Sequence, residues 1–476
     1  MSGGNTLRSS LRRRLWWLRE AKPEMERWKF LSQKKKNGWR ASPDNRPNII
    51  LLSIDSMAAR HLGCYGYSRK TSPAMDRLAA SGVLFENVIA QTNWTKPSLT
   101  SLHTSLYPSV HKTDSRGETG DRTDEQARNR ANILDARFRT IAQEFKAGGY
   151  ATAGLSNGGY AHSFFGFGRG FDYYENEGGG LKSCSYRMLQ WVLKNPGVPF
   201  FTWMHAWDIH FPYMDRPPYN SMFTSGRAEI VLDAATRYKV NNGERKLSAS
   251  ELEFLEGMFD GAIKYVDDLI AAFLRELERL GLSENTILVI TADHGEAFQE
   301  HGFVEHTECL YGEVLQVPLI MVGPGLEKGR RVKSQVRLID IMPTLLDLAG
   351  LSPQSDIQGV SLLPWIKGSM KNDLVAASET ERGGGQVAIS DGHHKMIKHK
   401  ADGHAEIYDL VMDPKEKADI GSSDSELRVK MEGLLSAWER ETRYRADKYW
   451  LDNEGAENTE MSAEVVGRLK DLGYLE

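Results

Sequence analysis

Two seven-residue stretches constrain this chain most. They are NIILLSI at 48–54 and TILVITA at 286–292, and each runs directly into an aspartate, Asp55 and Asp293. Both are almost wholly apolar, lack the alternation of a half-exposed strand and are short for a buried helix. Each therefore reads as a strand covered on both faces, the kind found in parallel sheets flanked by helices.

The intervening segments supply the helices. SPAMDRLAASG reads as a helix with Ser72 as N-cap, Pro73 in its first position and Gly82 near its end. VLFENVIA reads as a strand, and PSLTSLHTSL, with Leu99, Leu102 and Leu106 spaced for one face, as a helix following Thr95. TIAQEFKAGGYATAGLSN gives helix, glycine stop and strand; PFFTWMHAWDIH gives a strand. A long amphipathic helix covers FLEGMFDGAIKYVDDLIAAFLRELERLGL, a strand covers VPLIMVGPG and a helix covers LIDIMPTLLDLAGL. The alternation predicts an α/β fold over residues 47–370: a large mixed, mostly parallel sheet sandwiched by helices. Past residue 370, QVAISDGHHKMIKHK and AEIYDLVMDP read as short antiparallel strands and SELRVKMEGLLSAWERETRYR as a closing helix. Residues 371–476 are thus expected to form a smaller C-terminal α+β domain.

Charge is unevenly spread. Residues 1–50 hold 13 Lys and Arg against 4 Asp and Glu, although the whole chain carries a net charge of −4. Residues 1–46 read as a basic tail in which Leu11, Leu15 and Leu18 can share a helical face, suited to a membrane surface or a partner protein. The acidic remainder gives no argument for nucleic acid. Cys64, Cys184 and Cys309 are too few and too scattered for a disulfide framework or a thiolate zinc site. No apolar run reaches the ~18 residues of a membrane span, and the N-terminus lacks the apolar core of a secretory signal. The expectation is a cytoplasmic protein, peripherally membrane-associated if the tail docks.

Ligands of such sheets bind beyond the carboxyl ends of the strands. Asp55, the segment NWTKPSLTSLHTSLYP, the HAWDIH run with His205, Asp208 and His210, and the pair Asp293-His294 all fall there. Asp55 alone is either a cap or turn residue or a hard-metal ligand. Adjacent carboxylate and imidazole at a second strand end suit zinc, manganese or a similar divalent ion. A threonine hydroxyl is a weak nucleophile until a metal lowers its pKa, and a helix N-terminus behind Thr95 favours an anionic group. Ser98, Ser101 and Ser105 read as capping and packing hydroxyls.

These blocks, with GFGRGFDYYE, NTILVITADHGEAFQEHG, LYGEVLQVPLIMVGPG, IYDLVMDPKEKADI and RLKDLGYLE in the same order, resemble the sulfatase family of the alkaline phosphatase superfamily over nearly all of 47–476. The segment NWTKPSLTSLHTSLYPSVH stands where that family carries Cys- or Ser-x-Pro-Ser-Arg before a helix. Sulfatases convert that Cys or Ser to formylglycine, which Thr95 cannot become, and Leu99 replaces the arginine of the maturation signal. Ser56 stands for the second acid of an Asp-Asp pair, His294 for an asparagine, and Asn157 lies near the place of a sulfate-facing lysine. An unmodified threonine nucleophile is a property of the superfamily's phosphorus branches.

The resemblance therefore implies a metal-dependent hydrolase or transferase of phosphoesters, phosphodiesters or phosphonates, with a covalent phosphothreonine intermediate. Its partner would be a small anionic ester. Asp55, Thr95, Asp293 and His294 would hold one ion (zinc, manganese, magnesium or calcium), and His210 and His306 would be catalytic on the leaving-group side. Asn157 and Asp208 would bind substrate, and a second ion on Asp208, His210 and His306 is a further expectation. His205 and His301 read as packing or supporting residues. Two other readings stay open: a sulfate ester hydrolase without formylglycine, and a silent relative that binds an anionic ligand or a protein partner.

Overall fold

The computed structural model describes residues 46–114, 130–176, 179–195, 197–214, 216–224, 230, 232–354, 356–450 and 458–471. Residues 1–45 of the basic tail lie outside the described residues. The strands of the first half are β1 (Asn48–Ile54), β2 (Val83–Ile89), β3 (Arg130–Asn132), β4 (Ala151–Ser156), β5 (Tyr173–Glu175) and β6 (Phe200–Ala206). They are followed by β7 (Thr286–Ala292), β8 (Ala297–Phe298), β9 (Val304–Glu305), β10 (Leu319–Val322) and β11 (Arg330–Arg337). The C-terminal strands are β12 (Ala376–Thr380), β13 (Gln386–Ser390), β14 (His394–His399), β15 (Ala405–Asp409) and β16 (Asn458–Glu460). The principal helices are α1 (Pro73–Ser81), α2 (Thr95–Thr104), α3 (Ile141–Ala147), α4 (Gly180–Lys194), α5 (Ala249–Arg279), α6 (Ile341–Leu348), α7 (Ser425–Trp450) and α8 (Ala463–Asp471).

The main sheet has the order β11-β2-β10-β7-β1-β6-β4-β5. Only β10 runs against its neighbours, so the sheet is mixed and mostly parallel, as the sequence predicts. Its three central strands, β7, β1 and β6, are buried at every residue. This is the physical reason for their unbroken apolar runs. α1 and α4 each pack against α5, and α2, α3 and α6 pack with one another.

A second sheet of four antiparallel strands, β12-β13-β14-β15, is covered by Leu427, Met431 and Leu435 of α7. It docks on the first domain through Tyr107 and Ile339 on one side and Ile89 and Leu310 on the other. The C-terminal residues then leave it. β16 pairs with β3, and Met461, Val465 and Leu469 enter the main core. The last described residues of the segment 371–476 thus find their apolar partners in the domain of the main sheet.

One capping expectation is corrected. Ser72 does not cap α1; its hydroxyl accepts from the Gly63 N–H at 2.8 Å and donates to Asp76 at 3.0 Å. The cap comes from α5. Asp267 accepts from the Ala74 and Met75 N–H groups, each at 2.9 Å, and burial pushes its carboxyl up to about 6. Asp267→Ala leaves two backbone donors unsatisfied in a buried place. It is expected to destabilise the protein by about 1–3 kcal/mol in denaturant titration.

Candidate active site

The register of the central strands builds the site. β1 pairs in parallel with β7 so that Ile54 faces Ala292, which sets Asp55 beside Asp293 just past the carboxyl edge. β6 flanks β1 on the other side, with His205 opposite Ser53, and the Asp55 N–H continues the ladder to Ala206 at 2.8 Å. α2 begins at Thr95 on the same edge, and Ser98 ties it down by donating to the Asp293 carbonyl at 2.6 Å. Ser101 bonds to His111 at 3.0 Å and Ser105 to the Ile339 carbonyl at 2.7 Å, so these hydroxyls hold the helix.

Ser56 adopts φ +60°, a left-handed conformation that a non-glycine residue takes only where its surroundings enforce it. The result is a bridge. Its hydroxyl donates to Asp55 Oδ1 at 2.9 Å, and its N–H donates to Asp293 Oδ1 at 3.2 Å. His294 donates its own N–H to the same Asp293 oxygen at 2.9 Å. Asp293 Oδ2 is buried and makes no hydrogen bond.

Two imidazoles complete the cluster, and their neighbours set their tautomers. His294 Nδ1–H meets the Gly295 carbonyl at 3.0 Å, leaving the Nε2 lone pair turned inward. Nε2 lies 3.5 Å from Asp55 Oδ1, 3.5 Å from Asp293 Oδ2 and 3.3 Å from Thr95 Oγ1. Trp203 Nε1–H donates to Ser53 Oγ at 3.0 Å, so the Ser53 hydroxyl is turned to His205 Nδ1 at 2.9 Å. His205 Nε2–H then faces Asp55 Oδ2 at 3.6 Å. His205, read from sequence as a packing or supporting residue, thus orients Asp55.

The electrostatics call for a cation. Burial, followed by the nearby Asp55 charge, pushes the Asp293 carboxyl well up. Burial would raise Asp55 too, but His210, His205 and His294 together hold it well below the ordinary range. Burial keeps His294 neutral by lowering its pKa. Two carboxylate oxygens and a neutral nitrogen lone pair thus converge, with ligand atoms of Asp55, Asp293 and His294 all within 4.8 Å of one another. Two carboxylates and an imidazole lone pair gathered in a buried place are a set that a divalent ion fits.

The remaining sequence-derived residues divide. His306 stacks on His294 with ring centroids 4.2 Å apart, and its ring centroid is 5.2 Å from that of His210. His306 Nδ1 meets Glu296 Oε1 at 3.2 Å. Burial drives the pair apart, raising Glu296 and lowering His306, so the carboxyl carries the proton and donates it to Nδ1. Glu296 was not singled out in the sequence; its signal is its place two residues after His294.

Asp208 is committed elsewhere. Its carboxylate accepts from the Leu181 N–H at 2.7 Å and from Arg216 at 3.2 Å. Gly180, at φ +78°, permits this approach, since a Cβ there would lie 2.4 Å from Asp208 Oδ1. The expected substrate role of Asp208 and its part in a second ion site are not supported. Among the described residues, the one cluster with metal-ligand spacing is Asp55, Asp293 and His294. Asn157, at the end of β4, places its amide oxygen to accept from the Gly180 N–H at 2.9 Å and from the Trp207 indole, which anchors the start of α4. His301 is structural: it bonds to Glu313 at 2.7 Å and to the Glu416 carbonyl at 2.8 Å.

Fold and site together define a protein of the mixed α/β sheet type, with a carboxylate–imidazole cluster fit to hold a divalent ion at the carboxyl edge of its central strands. The sequence matches the sulfatase family over residues 47–351, and the C-terminal region of N-sulphoglucosamine sulphohydrolases over 299–438. The chain belongs to the sulfatase family. A sulfatase of Formosa agariphila is 23% identical, covering 89% of this chain and 94% of the relative. A Delta 4,5-hexuronate-2-O-sulfatase of Bacteroides thetaiotaomicron is also 23% identical, covering 80% and 86%. Among solved structures, the phosphonate monoester hydrolase of Agrobacterium radiobacter superposes with a TM-score of 0.67 at 22% identity, covering 84% of this chain and 96% of that one. A 2-O GAG sulfatase superposes with a TM-score of 0.68 at 20% identity, covering 88% and 96%.

Proposed function

We propose that the chain hydrolyses or transfers a small anionic phosphoester, phosphodiester or phosphonate, with unmodified Thr95 as nucleophile. The observation that carries this reading is Thr95 Oγ1 itself, buried at the N-terminus of α2 and 3.3 Å from His294 Nε2 inside the acidic cluster. A threonine cannot supply the aldehyde hydrate of a formylglycine sulfatase, whereas its alkoxide can attack phosphorus. Phosphonate monoester hydrolases and sulfatases both share this fold, so the choice of phosphorus rests on Thr95.

A divalent ion held by Asp55, Asp293 and His294 would supply positive charge beside the Thr95 hydroxyl and the ester oxygens. The Thr95 hydroxyl gives up its proton to solvent, and Oγ1 forms a bond to phosphorus as the bond to the leaving oxygen breaks. The first backbone N–H groups of α2 favour the negative charge gathering on the phosphoryl oxygens. His306, receiving the Glu296 proton at Nδ1, presents Nε2–H to the departing oxygen. Water or an acceptor alcohol then releases the phosphothreonine.

The test is acid quench of the metal-loaded protein during turnover of an aryl phosphodiester or aryl phosphonate, followed by intact mass and peptide mapping. A phosphoryl-type adduct on the Thr95 peptide is expected, and a good leaving group makes it accumulate. Turnover with no adduct under any leaving group would remove the covalent mechanism. Preferential turnover of aryl sulfate would replace this reading with sulfate ester hydrolysis.

A further inference from the structure

We propose that Arg382, delivered from the C-terminal sheet, binds an anionic oxygen of the ester that Thr95 attacks. This rests on the reading of the Thr95 site as an ester-hydrolase centre. Arg382 sits in the ERGGG turn between β12 and β13, about 290 residues from Thr95 in sequence. Its guanidinium carbon lies 3.7 Å over the ring of Trp94, the buried residue immediately before Thr95.

The turn is fixed from both sides of the site. Ahead of Arg382, the Glu381 N–H donates to Asp114 Oδ2 at 2.8 Å, and the other oxygen of Asp114 accepts from Trp94 Nε1. The Arg382 N–H itself donates to Thr380 Oγ1 at 3.1 Å. Behind it, Gly383 takes φ +59° and lies so close to the Glu308 backbone that a Cβ would be 2.4 Å from the carbonyl oxygen. Gln386 donates to the same Glu308 carbonyl at 3.1 Å. Glu308 is two residues past His306, so the turn is clamped between the nucleophile helix and the histidine wall.

This placement matters because the site is acidic where its ligand is anionic. Asp55 and Asp293 repel the nonbridging oxygens of an approaching ester. A guanidinium stacked on Trp94 uses its face for the ring, while oxyanions are bound through its edge, so one group can do both. The half-buried setting strengthens the pairing over that of an open surface.

The experiment measures inorganic phosphate binding by calorimetry to the full, metal-loaded chain. Wild type, Arg382→Ala, Arg382→Lys, Arg382→Gln and Thr95→Ala are compared, with KM and kcat on an aryl phosphate measured alongside. Arg382→Ala and Arg382→Gln are expected to weaken phosphate at least tenfold and to raise KM more than they lower kcat. Arg382→Lys should recover part of the affinity. Arg382→Gln keeps a planar side chain over Trp94 without the charge, so it serves if the alanine variant does not fold. Wild-type phosphate affinity in a folded Arg382→Gln, or no phosphate binding by wild type, overturns the proposal. Retained turnover in Thr95→Ala would remove the nucleophile reading, and its phosphate affinity would leave the Arg382 result to be judged separately.

Discussion

Thr95→Ala is expected to lose at least about a thousandfold in kcat/KM toward phosphodiester or phosphonate substrates, or about 4 kcal/mol of transition-state stabilisation. The loss should appear without unfolding. Thr95 is the first residue of α2, and that helix is held by Ser98 on the Asp293 carbonyl, by Ser105 on the Ile339 carbonyl and by the buried Leu99 and Leu102. Removing the hydroxyl deletes the atom 3.3 Å from His294 Nε2 and leaves the helix anchors in place. Thr95→Ser should keep a measurable fraction, because the attacking oxygen survives while the methyl group that restricts its rotamer is gone. Thr95→Cys should gain little phosphoester activity, and no formylglycine should form, since Leu99 interrupts the maturation signal. Steady-state kinetics and intact mass decide the matter. Thr95→Ala turning over at the wild-type rate would move the attack from the threonine to water.

What the sequence reveals of this architecture depends on how local the physics is. The strands ending at Asp55 and Asp293 are legible because burial on both faces leaves no polar position to blur the run. β11, RRVKSQVR, is not, because it closes the sheet at an edge and its exposed positions carry charge. The capping of α1 misleads for another reason. Ser72 has the right chemistry in the right place, but its competitor Asp267 lies 193 residues beyond Ala74 and reaches it only through the packing of α5. Asp208 shows the same limit within the site: the spacing Asp208-x-His210 places both residues near the strand end but says nothing of rotamers, and the carboxylate turns to Arg216 and Leu181. Glu296, His205 and Arg382 complete the centre through tertiary contacts. Arg382 is the extreme case, since it reaches Trp94 only when the second sheet docks on the first.

Asp293→Ala is expected to abolish specific divalent-ion binding, and with it nearly all turnover, by removing the carboxylate whose Oδ2 faces the cluster without a hydrogen bond. The stability consequence runs the other way in chelator. The folded Asp293 carboxyl is raised above its unfolded value by burial and by Asp55. Its contribution to the stability of the metal-free protein is therefore fully present below the unfolded value near 3.9, and it is lost as pH rises through the higher folded value. Metal-free wild type should accordingly lose stability across that rise, whereas metal-free Asp293→Asn, which has no proton to lose there, should lose less. With ion added, the order reverses. Wild type gains about 2.7 kcal/mol at a free ion concentration one hundred times its dissociation constant, and the variant gains nothing. Thermal melts of both proteins over a pH series, in chelator and in excess manganese or zinc, separate the two effects, and elemental analysis reads the occupancy directly. Full ion occupancy in Asp293→Ala, or an equal upward melting shift in variant and wild type on adding the ion, would place the metal elsewhere.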